Sequence, residues 1–174
     1  RRPMIVAFVA AFSVAVAQIT VGFFALARLH LEPASAARAA GVALAIVGIA
    51  LIFAQVILRK LEWRPEKLIR IGGVIAAIGF ASAVGVSTPT MLWSSYAIAA
   101  FGMGWVYPSV SALAANSVNA DEQGAAAGSV SASQGLGVIA GPIVGTSVYA
   151  FDNGLPYALI AFMLISVVLW SLKR

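Results

Sequence analysis

A chain of 174 residues is short enough for one soluble domain, yet 61% of it is hydrophobic and only 10% is charged, where a typical soluble domain carries about 25% charged residues. Too few ionic groups remain to coat a water-facing surface, so the composition excludes an ordinary soluble protein and makes lipid the solvent of much of the chain. The net charge of +5 reads as the Lys and Arg that membrane proteins gather on their cytoplasmic side, not as a nucleic-acid footprint, and the absence of cysteine excludes disulfides, thiolate catalysis and Cys-based metal sites.

Letting charges and turn residues mark the limits predicts six spans, at about 4–27, 39–58, 71–86, 91–115, 125–150 and 156–172. The expected fold is therefore an all-α integral membrane bundle of six transmembrane helices, a single domain over 1–174. The first span carries Ser13, Gln18 and Thr20 in its interior. It is too long, and its flanks too poor in small residues, for a removable signal peptide. A break from His30 to Arg38 with Pro33 leads to the second span, whose interior polar residue is Gln55, and the basic stretch 59–70 with Pro65 follows. The third span offers little polarity beyond Ser82 and ends at Ser87-Thr88-Pro89.

The fourth span is the richest. Tyr96, Ala100, Met103 and Tyr107 fall at i, i+4, i+7 and i+11, one aromatic and thioether stripe on a helix. Trp105 lies within it, and Pro108, after Gly102 and Gly104, removes a helical N–H and favours a kink. Asn116 to Gly124 form the next break. In the fifth span Ser129, Ser131, Ser133 and Gln134 are polar, and Gly137, Gly141 and Gly145 repeat every four residues on one face, the spacing that lets helix backbones approach closely in lipid. Pro142 favours a second kink. Asp152-Asn153-Gly154 turns the chain into the sixth span, which begins on Pro156 and carries little polarity beyond Ser166.

A Gln side chain in hydrocarbon is costly unless something hydrogen-bonds it, so Gln18 and Gln134 are expected to face protein or water. Interhelical hydrogen bonding and ligand contact are both open to them. The stripe on the fourth span reads first as packing and only second as ligand contact. The first, second, fourth and fifth spans are the candidates to line a polar path, and the third and sixth are expected to be widely exposed to lipid. Six crossings put Arg1, Arg2, Arg59, Lys60, Arg64, Lys67, Arg70, Lys173 and Arg174 on one side and leave Arg28 and Arg38 on the other. The positive-inside rule then places both termini in the cytoplasm.

Three segments carry a resemblance: Gly102-x-Gly104-x-x-x-Pro108, then Asp121-Glu122-Gln123-Gly124-x-x-x-Gly128, then Gly137-x-x-x-Gly141-Pro142-x-x-Gly145 with Tyr149. Together they resemble the tenth and eleventh helices of major facilitator superfamily transporters, and most of all the tetracycline and multidrug proton antiporters. The resemblance implies that the six spans are the C-terminal half of such a fold. It also implies that the first and fourth spans line a central cavity, that the second and fifth flank it, and that the third and sixth lie outside. Gln18, Tyr96, Met103, Tyr107 and Gln134 become the expected substrate contacts, and Pro108, Gly137, Gly141, Pro142 and Gly145 the expected kink and packing positions. The loop 59–67 lacks the glycines and the Asp-Arg pair that the family often keeps there.

No span contains Asp, Glu, Lys, Arg or His. Proton relays and hydrolytic sites at membrane depth are built from such residues, so neither an enzyme nor a cofactor or metal site is expected. His30, beside Glu32, belongs to a predicted loop. The function that fits is half of a secondary transporter moving a small organic solute by alternating access, with proton coupling supplied by carboxylates elsewhere. Its expected partners are the lipid bilayer of the inner membrane, a small-molecule substrate, and a complementary N-terminal six-helix half or a second copy of the chain. Opening on Arg1-Arg2 without methionine agrees with a longer polypeptide. The competing class is a membrane scaffold or assembly subunit that keeps the fold and transports nothing.

Overall fold

Prolines set three of the six helix starts. In a computed structural model that describes residues 2–172, and of 171 and 172 the backbone alone, the helices are α1 (Arg2–Ala27), α2 (Pro33–Leu58), α3 (Pro65–Ala83), α4 (Pro89–Ala115), α5 (Gln123–Tyr149) and α6 (Leu155–Leu172). A single 3-10 turn, Ala120–Glu122, precedes α5. Arg1, Lys173 and Arg174, three of the charges used for orientation, lie outside the described residues. At Pro33, Pro65 and Pro89 the missing N–H falls in the first helical turn, where it has no intrahelical partner to lose.

Two of these starts precede the charge-marked limits. α2 begins at Pro33 rather than 39 and takes Ser35 and Arg38 into the helix, while α3 begins at Pro65 rather than 71 and carries Glu66, Lys67 and Arg70. Charge marks where hydrocarbon ends, but a hydrogen-bonded helix continues into the headgroup layer, where water hydrates those side chains. Among the described residues, α1, α2, α4 and the Ala120–Tyr149 helix are long and apolar enough to cross a membrane, and α6 adds the shorter apolar stretch Leu155–Trp170.

The turns are locally fixed. Thr88 caps α4 by accepting from the Met91 N–H at 3.3 Å, and Glu122 accepts from the Asn119 N–H at 3.3 Å before α5. The Asp152 carboxylate accepts from the Gly154 N–H at 2.7 Å, an Asx turn that leads into α6.

Packing places α1 and α4 at the centre. Of their most apolar stretches, 61% and 56% are buried, against 11% for α2 and 17% for α5. Val16, Phe24, Leu92, Val106, Val110, Tyr157 and Ile160 are fully enclosed in a core shared by α1, α3, α4 and α6. Glycines let the pairs close. A Cβ added to Gly102 would strike the Ala76 backbone and the Gly72 carbonyl, and one added to Gly79 would strike the Ala99 backbone, so α3 and α4 cross in backbone contact. On the other flank, Cβ atoms at Gly137 and Gly141 would come 2.6 Å from the Phe8 carbonyl oxygen and 2.7 Å from the Ala15 Cβ, which seats α5 on α1. α2 is held to α4 by polar links as well: the indole N–H groups of Trp93 and Trp105 donate to the carbonyls of Ala39 and Ala54, each at 3.0 Å.

Candidate functional site

A partly open cavity of about 280 Å³ lies between α1, α2 and α4, with Phe80 of α3 also in its lining. Val14, Ala17 and Gln18 come from α1, and Leu44, Val47, Leu51 and Gln55 from α2. The α4 wall is Tyr96, Ala99, Ala100, Met103, Gly104 and Tyr107. All four members of the i, i+4, i+7, i+11 stripe thus stand on one cavity wall. Most of the lining is aliphatic or aromatic, and no charged side chain contributes.

The hydroxyls beside this wall form a chain whose direction is forced. The Tyr96 hydroxyl lies 2.7 Å from the Ala17 carbonyl, which can only accept, so Tyr96 donates there. At 2.9 Å between the Tyr96 and Tyr157 hydroxyls, Tyr157 must then be the donor. The single Thr20 hydrogen goes to the Val16 carbonyl at 2.8 Å and is shared only weakly with the Tyr157 hydroxyl at 3.2 Å. The chain joins α1, α4 and α6 inside the core, and the Tyr96 hydroxyl is consumed within it. Tyr96 therefore offers the cavity its ring. Tyr157 escapes sequence reasoning because a tyrosine next to Pro156, at the start of a span, reads as an interfacial residue.

The other polar positions divide. Gln18 is exposed and lines the cavity, and Tyr107 is half-buried there; neither side chain makes a hydrogen bond within the described residues. Gln55 lines the cavity and donates through Nε2 to the Gly104 carbonyl at 3.0 Å. Gln134 is half-buried on α5 and does not line this cavity. Trp105 turns away from it, packing edge-on to Trp63 at 6.1 Å and beside Phe101 at 5.0 Å between ring centroids. Ser13, Ser129 and Ser133 spend their hydroxyls on carbonyls four residues back in their own helices, as polar side chains in apolar helices commonly do. Pro108 and Pro142 both lie inside unbroken helices. Gly137, Gly141 and Gly145 are buried on the α1-facing side of α5, away from the cavity.

Six helices, the longest of them apolar enough to cross a bilayer, around an uncharged cavity define a class: a multi-pass membrane protein. The family model of the Major Facilitator Superfamily matches residues 3–174, and the chain belongs to that superfamily. Among solved structures it is similar to the peptide transporter POT, crystallised as a mutant in complex with sulfate, with a TM-score of 0.85 at 18% sequence identity. The match covers 98% of this chain and 36% of that one. No curated protein matches.

Proposed function

We propose that this chain is the C-terminal half of a secondary active transporter that moves a small, uncharged organic solute by alternating access, and not an enzyme. The observation that carries the reading is a cavity walled on α4 by Tyr96, Met103 and Tyr107 and on α1 by Gln18, with hydrogen-bonding capacity left on Gln18 and Tyr107. Such a wall suits an amphipathic solute, which stacks on the aromatic rings and finds donors and acceptors in the two side chains. Gln134 meets solute only when the second half closes the path.

The exposed faces of α2 and α5 support the missing half. Ile52 and Phe53 on α2 are 65% and 63% exposed, and Ile139 and Ile143 on α5 are 65% and 63% exposed. The complementary six-helix bundle, in the same polypeptide or as a second copy, covers these faces and completes the cavity. Coupling to protons resides in that half, since the cavity wall here has no titratable carboxylate or imidazole. Pro108 and Pro142 supply the bending points, and the glycine face of α5 keeps α1 and α5 together as the bundle rocks. The termini and the 59–70 segment face the cytoplasm across the inner membrane.

The test uses the cysteine-free background. Alkylation of Tyr107→Cys by N-ethylmaleimide is expected to slow in the presence of a transported neutral solute, while alkylation of the exposed Ser35→Cys is unchanged. Failure of every member of a neutral amphipathic panel to protect Tyr107→Cys would remove the cavity from the account.

A further inference from the structure

Pro108 has no N–H to give to the carbonyl four residues before it, which is that of Gly104. Gly104 is buried at the cavity wall, and a carbonyl left there without a partner is costly. The structure shows its replacement donor: Nε2 of Gln55, on the neighbouring helix, at 3.0 Å. Because the carbonyl can only accept, the orientation of the carboxamide is fixed by chemistry, with Nε2 toward Gly104 and Oε1 away from it. Close approach is possible only because residue 104 is glycine; a Cβ there would lie 2.6 Å from the Ala54 Cβ. The second proline shows that such a donor is not automatic. No side chain among the described residues donates to the Val138 carbonyl, which stands in the same relation to Pro142.

We propose that Gln55 is a positioning residue: its carboxamide stands in for the amide that Pro108 lacks and clamps α2 to α4 at the cavity wall. Through that clamp the distance between the Leu51 side of the cavity and the Tyr96–Tyr107 stripe is set, and with it the width open to a solute. The proposal deepens the reading of the cavity as a solute site and rests on it for what the clamp serves. The clamp itself is a property of three residues, and its test requires no transport.

A double-mutant cycle in membrane vesicles reads it. Ala100 lines the cavity on α4, so Ala100→Cys reports cavity access through its rate of modification by N-ethylmaleimide. Gln55→Ala is expected to raise that rate about fivefold, the factor that corresponds to losing one ordinary hydrogen bond. With Pro108→Ala, the restored N–H of residue 108 takes the Gly104 carbonyl, and adding Gln55→Ala then leaves the rate nearly unchanged. Gln55→Met, which keeps the length and loses the donor, is expected to match Gln55→Ala without any change at Pro108. Equal effects of Gln55→Ala in both backgrounds, or a wild-type rate in Gln55→Met, would overturn the clamp. If the cycle holds and no solute protects Tyr107→Cys, the clamp stands and the solute reading falls.

Discussion

At Tyr157 a single hydroxyl accepts from Thr20 and donates to Tyr96, so two substitutions of the same chemical size have different costs. Tyr157→Phe removes the middle of the chain, yet Tyr96 still donates to Ala17 and Thr20 to Val16, so no buried donor is stranded. Its expected cost is about 1 kcal/mol. Tyr96→Phe takes away the 2.9 Å acceptor of the fully buried Tyr157 hydroxyl and leaves it only the more distant Thr20 Oγ1 at 3.2 Å, so its expected cost is higher, about 2 kcal/mol. Thermal unfolding in detergent checks the order, and a costlier Tyr157→Phe would show that the donor direction is wrong. At this scale the sequence exposes part of the site. The stripe from Tyr96 to Tyr107 can be found from helical periodicity alone, because spacing fixes a face. Which hydroxyls face the solute and which face one another depends on the neighbouring helices. That is why Tyr157 and the orientation of Gln55 emerge only in three dimensions, and why Gln134, marked by its cost in hydrocarbon, stands off the cavity.

Helix pairing has its own contrasts. The α3–α4 crossing depends on backbone contact at Gly102, whereas Gly48 on α2 has nothing within 4 Å of an added Cβ. Gly102→Ala is therefore expected to cost about 1–3 kcal/mol by overpacking, and Gly48→Ala is expected to be neutral. Gly141→Leu, aimed at Ala15 and the Phe12 carbonyl, belongs with the first, and the exposed Val138→Leu with the second. Equal unfolding temperatures for wild type and Gly141→Leu would show that the α1–α5 contact carries no stability. The regular Gly137, Gly141, Gly145 spacing is legible in the sequence itself, because a four-residue repeat defines a helix face. Gly72, Ala76 and Gly79 also share one face at i, i+4 and i+7, but which helix that face meets emerges only with α4 in place. Burial within the bundle is a separate matter from the expected lipid exposure of α3 and α6: here α2 and α5 are the barest helices.

For the molecule as a whole, nine basic residues against two predict that the 59–70 segment is cytoplasmic and the 28–38 segment is not. Lys60→Cys and Ser35→Cys should differ in accessibility to an impermeant thiol reagent, and labelling of Lys60→Cys from outside intact cells would reverse the orientation. The central claim is that this bundle forms one wall of a transport path and needs a second bundle to complete it. Its most direct measurement is solute uptake into liposomes under an imposed pH gradient, by this chain alone and by this chain with the complementary half, using a solute that protects Tyr107→Cys. The account predicts gradient-driven uptake only when both halves are present, and the same uptake by the chain alone, with cross-linking showing it to be monomeric, would contradict it.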